Sequence, residues 1–334
     1  MSDGRKFEFN WPWFGNRHII DFLQGSILSR ELSHFYIFSG LPDLGKSALA
    51  LAFSASLLCR NFADGQGLLP CGSCPSCLEV KKAAHSDLTF LRLAEEKKNI
   101  SVEQVRNFIR LMSLGSFASG FKIGLVKSAE SLSLEAANCL LKTLEEPKPG
   151  VVIILLTSHL EQLPATILSR GQILLFRPAA REQVYDYLVN EHKLTRDFAR
   201  VLSRISSGRP ALAAKLANDP GFFAGRKKII LTLIKMMSDN ISGRFQAIEE
   251  IIKQEPGSAV ETLEVWQTIT RDLLLMRLNL EELTANELAL NELREVNLPI
   301  AGLLNLQEKI KEGMKYLAAN ANPRTVLENI SLQT

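Results

Sequence analysis

Short apolar runs alternate with stretches of helical periodicity through the first half of this 334-residue chain. Residues 35–38, 88–93, 121–126, 151–157 and 173–176 are mostly apolar, with β-branched and aromatic side chains, which predicts buried strands. Between them, residues 19–28, 48–58, 101–112 and 133–145 repeat apolar positions at helical spacing. Ser101 with Gln104 three positions on is a capping-box pattern, and Pro147 closes the last of these helices. Strands apolar on both faces and separated by helices predict a parallel sheet covered on both sides.

From Pro178 the pattern is helical only, over residues 182–191, 196–205, 211–216, 226–238, 242–254, 260–278, 284–293 and 303–318. Gly208-Arg209-Pro210 interrupts it, and Asn218-Asp219-Pro220-Gly221 reads as a turn-rich boundary. The expected organisation is an α/β domain over 1–176, a small helical domain over 177–220 and a larger all-α domain over 221–334.

Composition changes this picture little. Hydrophobic residues make up 46% and charged residues 22%, as in ordinary globular proteins. The net charge of +3 is too small to imply nucleic-acid binding by itself. No apolar stretch approaches the roughly 20 residues that span a bilayer, and the first residues lack the apolar core of a secretory signal. A cytoplasmic protein with no membrane partner is expected.

Chemistry enters at residues 40–47, where Gly40-Leu41-Pro42-Asp43-Leu44-Gly45-Lys46-Ser47 fits GxxxxGKS between a predicted strand and a predicted helix. In such a P-loop, backbone N–H groups converge on phosphate oxygens at a helix N-terminus. Lys46 would reach the outer phosphates and the Ser47 hydroxyl would ligate magnesium, with Gly40 and Gly45 shaping the loop. Asp43 is unusual in a loop meant for a polyanion.

Hydrolysis needs a carboxylate at the end of a neighbouring strand to orient magnesium and activate water. After the predicted strand 121–126 stand Lys127 and Ser128, and Glu130 is expected off the strand tip. The rival strand 151–157 runs into Ser158 and His159 and offers no carboxylate either. Inefficient hydrolysis is expected, magnesium lacks its usual acidic ligand, and binding of ATP or ADP stays open.

Cys71, Cys74 and Cys77 form CxxCxxC, with Cys59 twelve positions before Cys71. This spacing reads as a closed, structural four-thiolate zinc site. An iron–sulfur cluster is the alternative, but the ferredoxin-like continuation is missing after Cys77. Cys139 is expected to be a small buried residue, and His34 a hydrogen-bonded packing residue. Trp11, Trp13 and Phe14 are candidates either for an adenine cover or for core. Glu95-Glu96-Lys97-Lys98 reads as a solvated turn, and Arg226-Lys227-Lys228 as the polar face of a helix.

Three further segments carry a resemblance. SLEAANCLLKTLEEP at 133–147, LPATILSRGQ at 163–172 and LSHFYIFSG at 32–40 resemble motifs of clamp-loader AAA+ subunits, in order and at family spacing. The four-cysteine insertion also falls where bacterial clamp loaders carry one. The resemblance covers about residues 13–216 well, and the remainder only in length and helicity. It implies an AAA+ domain, then a helical lid, then an all-α collar domain used for oligomerisation. Motor subunits of the family, gamma or tau, keep an intact acidic site, whereas delta-prime subunits usually do not. Lys127 and Ser128 therefore align this chain with the delta-prime kind, as does Ala211 where motor subunits carry a second sensor arginine. The implied partners are gamma/tau and delta, with the sliding clamp and primed DNA reached through the complex. Arg170 would act as an arginine finger in trans, at the ATP site of a neighbouring subunit. Gly171 replaces the family's cysteine after that arginine, a change expected to affect packing. The alternative function is an active, short, gamma-like ATPase.

Overall fold

In a computed structural model, residues 6–11, 15–94, 97, 99–117, 120–254, 258–319 and 321–332 are described. Contacts divide the chain into two compact units, Met1–Gln183 with Arg209–Ala211, and Val184–Gly208 with Leu212–Thr334.

The first unit opens with β1 (Phe7–Phe9), α1 (Arg17–Ser29), β2 (Phe35–Ser39) and α2 (Lys46–Leu58). There follow α3 (Arg60–Asp64), β3 (Gly67–Leu69), α4 (Pro75–Lys81), β4 (Leu88–Leu91) and α5 (Val102–Ser113). It continues with β5 (Lys122–Val126), α6 (Leu134–Glu145), β6 (Val151–Thr157), α7 (Ala165–Leu168) and β7 (Gln172–Leu175). Five strands form one parallel sheet in the order β4-β5-β6-β2-β7, and β1 pairs with β3 in a separate parallel ribbon.

Alternation along the strands explains why both faces are covered. Tyr36 and Phe38 of β2, with Val152, Ile154 and Leu156 of β6, join the cluster holding Leu23 of α1 and Leu49 and Phe53 of α2. Phe35 and Ile37, with Val151, Ile153 and Leu155, join the opposite cluster with Phe108 of α5 and Leu140 of α6. The capping box is present at α5: Ser101 accepts from the Gln104 N–H while Gln104 accepts from the Ser101 N–H. Because β2 lies between β6 and β7, the chain reverses its direction of sheet growth there. That switch point leaves a crevice at the carboxyl ends of the strands, where the residues after β2, β5 and β6 meet.

The helical remainder comprises α8 (Arg181–Asn190), α9 (Arg196–Ile205), α10 (Pro210–Asn218), α11 (Pro220–Ser238) and α12 (Ile241–Gln254). It ends with α13 (Ser258–Arg277), α14 (Leu290–Glu295), α15 (Ile300–Ala318) and α16 (Pro323–Ser331). Fully buried Trp266 of α13 packs with Leu233 of α11, Leu306 of α15 and Leu327 of α16. Among the described residues, no helix is long and apolar enough to cross a membrane.

Several expectations change. The helix anticipated at 284–293 is broken. Fully buried Asp272 accepts the N–H groups of Ala285 and Asn286 at 3.0 and 2.8 Å, and the Asn286 side-chain amide at 2.7 Å. Those donors are held outside a helix, so only a 3-10 turn at Glu287–Ala289 and the short α14 form. Residues 218–221 are a helix junction, because the Asp219 carboxylate caps α11 at the Phe222 N–H. Arg226 is buried, and only Lys227 and Lys228 of that trio face solvent. The elements β1, β3, α3, α4 and α16 carry too few residues or too weak a pattern to be read from sequence.

Candidate functional site: a P-loop cleft and a thiolate cluster

Gly40 leaves β2 with φ 151°, and a Cβ there would stand 2.6 Å from the Phe176 carbonyl oxygen. Only glycine allows the loop to pass this close to the end of β7. Gly45 takes a left-handed conformation as the N-cap of α2, so the first turn of that helix opens toward the cleft. Lys46 and Ser47 begin the helix, with Lys46 buried and Ser47 exposed.

Gly45, Lys46 and Ser47 line a cleft of about 400 Å³ together with Lys127, Ser128, Glu130, Ser158 and Ala211. The Lys46 ammonium is folded back onto its own loop, donating to the carbonyl oxygens of Gly40 and Leu41 (2.7 Å for Leu41). It also donates to the Ser158 hydroxyl at 3.4 Å. Burial lowers its pKa to about 8, against the opposing pull of the Glu130 and Asp43 carboxylates.

At the end of β5, Lys127 and Ser128 stand as the sequence indicates, with no carboxylate at either position. Lys127 lies over the Phe90 ring, 5.6 Å from its centroid. Glu130 departs from expectation. Ser128 adopts a left-handed conformation (φ 52°), and a 3-10 turn over Ala129–Ser131 follows. This reversal returns Glu130 to the cleft wall, where its Oε2 accepts the Ser158 N–H at 3.4 Å. A serine in this backbone conformation leaves no periodic signal in sequence, so the glutamate's return is not legible there.

Ala211 forms part of the cleft wall, and its N–H donates to the Asp43 carbonyl at 3.1 Å. No arginine side chain lines the cleft among the described residues.

A second cluster lies beside α2. Cys59 ends that helix, Cys71 and Cys74 sit in the loop after β3, and Cys77 lies in α4. The four sulfurs all lie within 4.8 Å of one another, and those of Cys71 and Cys77 are 3.8 Å apart. Four thiolates about 2.3 Å from one tetrahedral ion would be separated by roughly 3.8 Å, so the donor set fits a structural metal. Burial opposes ionisation of Cys71, but the Cys74 and Ser73 N–H groups, the Ser73 hydroxyl and the Cys59 thiol outweigh it, giving a pKa of about 6. Burial pushes the Cys59 and Cys77 thiols up.

Arg170 follows α7. Its guanidinium donates to the Thr166 carbonyl at 2.6 Å, to the Ser169 hydroxyl at 3.2 Å and to the Glu145 carboxylate at 2.5 Å. The side chain is about one-third exposed. Beside it, a Cβ on Gly171 would stand 2.7 Å from Ile37 Cδ1 and 2.8 Å from Phe35 Cε1. The strand β2 side chains thus occupy the volume a cysteine would need.

The remaining candidates find packing roles. His34 shares a hydrogen bond of 3.0 Å with the Leu144 carbonyl. Cys139 is half-buried against the core. Trp11 packs edge-on against Phe53 and donates to the Ser56 hydroxyl at 2.9 Å, away from the cleft. Trp13 and Phe14 lie outside the described residues, as do Glu95, Glu96 and Lys98 of the charged run.

Comparison with known proteins extends this account. The family model described as DNA polymerase III, delta subunit, matches residues 15–180. DNA polymerase III subunit delta' of Bacillus subtilis is 27% identical over 324 residues, covering 94% of this chain and 94% of that protein. The delta' subunit of Escherichia coli is 31% identical over 206 residues, 62% of this chain and 60% of the relative. Subunit tau of Bacillus subtilis is 24% identical over 286 residues, 79% of this chain but 49% of tau. The match along nearly the whole of a delta' subunit, joined to a P-loop cleft with Lys127 and Ser128 at its rim, leads to one assignment: the chain belongs to the delta-prime family of DNA polymerase III subunits.

Proposed function

We propose that this chain is a scaffold subunit of a clamp loader, working with gamma/tau and delta subunits to place a sliding clamp on primed DNA. The single observation that carries this reading is the pair Lys127 and Ser128 at the end of β5, facing the P-loop cleft. A cation there repels magnesium, and a serine hydroxyl is too weak a base to activate water. Nucleotide, as ATP or ADP, would be held by Gly40, Gly45, Lys46 and Ser47 without efficient turnover. The hydrolytic chemistry then belongs to the partners, and Arg170 contributes to it in trans. Its planar, permanently charged guanidinium suits the charge that develops on a γ-phosphate.

In this reading Cys59, Cys71, Cys74 and Cys77 hold a zinc ion that fixes the loop between α3 and α4. Residues 1–176 supply the AAA+ domain, 177–220 the lid and 221–334 the collar. The setting is the cytoplasmic replisome. The reading is tested by assembling purified gamma/tau, delta and clamp with and without this chain. Clamp loading on primed DNA should require it, and loading at the same rate in its absence would contradict the proposal.

One observation favours a second reading, an active ATPase. The Glu130 carboxylate reaches the cleft and is the acid that could stand in for the missing pair. That reading requires magnesium-dependent turnover by the chain alone, abolished by Lys46→Ala.

A further inference from the structure

Glu130 is neither a helix-face charge nor part of an exposed ion pair, and the scaffold reading gives it no task. Its position is specific. The carboxylate accepts the Ser158 N–H at 3.4 Å, while the Ser158 hydroxyl receives the Lys46 ammonium at 3.4 Å. One residue at the end of β6 therefore links the glutamate to the lysine. In a P-loop that lysine reaches the β- and γ-phosphates, so its surroundings mark the outer-phosphate end of the cleft. At that end the donors an incoming γ-phosphate would use are already engaged. Lys46 is turned onto the Gly40 and Leu41 carbonyls and Ser158, and the Ser158 N–H faces a carboxylate.

We propose that Glu130 occupies the role of a built-in terminal anion, so that the cleft selects a nucleoside diphosphate over a triphosphate. A diphosphate bound along the loop would leave Glu130 in place as the third negative group around Lys46 and Ser158. A triphosphate would bring its γ-phosphate against a carboxylate that has no counter-cation from an arginine on the cleft wall. Like charges a few ångströms apart in a half-buried cleft repel strongly enough to change affinity by an order of magnitude or more. Three features together produce the arrangement: the left-handed Ser128, which turns Glu130 back; Ser158, which anchors it; and Lys127-Ser128, which put no acid at the tip of β5, where the usual magnesium ligand stands.

This inference rests on the P-loop cleft being a nucleotide site, but not on the chain's part in clamp loading. Equilibrium titration of the full-length chain with fluorescent ADP and ATP analogues in magnesium buffer tests it, comparing wild type with Glu130→Gln. Glutamine keeps an oxygen for the Ser158 N–H and removes only the charge. Unchanged melting temperature will verify that the fold is intact. Wild type should bind the diphosphate at least about tenfold more tightly than the triphosphate. In Glu130→Gln the triphosphate should gain about tenfold while the diphosphate changes by less than about twofold. Equally weak binding of both nucleotides by wild type would count against it, since the cleft would then select neither. An unchanged ratio in Glu130→Gln, a wild-type preference for triphosphate, or no binding by either chain would overturn the inference. None of those outcomes bears on whether clamp loading requires the chain, so the two proposals fail separately.

Discussion

The guanidinium of Arg170 is clasped by the carboxylate of Glu145, 2.5 Å away, at the point where α6 ends and the chain after α7 begins. Both side chains are substantially exposed, so the pair contributes little to folding, on the order of 1 kcal/mol or less. What it does is aim the arginine. One terminal nitrogen of Arg170 donates to the Thr166 carbonyl and the Ser169 hydroxyl, and the other to the Glu145 carboxylate.

Arg170→Ala should therefore leave the melting temperature nearly unchanged while lowering the DNA- and clamp-stimulated ATPase of the assembled complex. Glu145→Ala should retain most of that activity, since it frees the guanidinium without removing it. Steady-state phosphate release from reconstituted complexes checks both. Full activity with Arg170→Ala would remove the trans role.

Zinc should be present at about one ion per chain, held by Cys59, Cys71, Cys74 and Cys77. Chelation, or Cys74→Ser, should lower the melting temperature by roughly 5–10 °C, because metal binding free energy is folding free energy for the loop it closes. Elemental analysis with a thermal melt measures this. Iron with labile sulfide would replace zinc in the account.

Nucleotide affinity should depend on pH through Lys46. Burial sets its folded pKa at about 8, well below the ordinary lysine value. Only the ammonium form attracts phosphate, and a bound anion raises that pKa again, so binding takes up a proton above pH 8. Affinity should accordingly fall as pH rises, by up to about tenfold per unit beyond pH 8. Lys46→Arg should flatten the profile. The same depression means that the unfolded chain holds the proton more tightly between pH 8 and the ordinary lysine range. This group therefore makes the fold slightly more stable as pH rises through that window.

In the helical region, Asp272→Ala should destabilise the fold by about 3–5 kcal/mol, since it strands the buried N–H groups of Ala285 and Asn286. Hydrogen exchange should show the loss concentrated over residues 284–295.

The parts of this molecule legible in sequence are those whose cause is local. The P-loop, the strands 151–157 and 35–38, the Ser101 capping box and the cysteine spacing each announce themselves within about twenty residues. Other features depend on partners distant in sequence. Asp272 breaks a helix thirteen residues away by capturing its donors, and the three-residue β1 exists through pairing with β3, sixty positions on. Glu130 is the instructive case within the site. The absence of an acid at Lys127-Ser128 was plain, but a single left-handed serine redirected the next carboxylate into the cleft.

The central claim is that this chain serves ATP hydrolysis by its partners without performing it. The direct measurement is magnesium-dependent ATPase of the purified chain alone and after mixing with gamma/tau and delta, with primed DNA and clamp present. Turnover by the chain alone at background level, with activity appearing in the assembled complex and surviving Lys46→Ala in this subunit, is the predicted result. Turnover by the isolated chain that Lys46→Ala abolishes would contradict it.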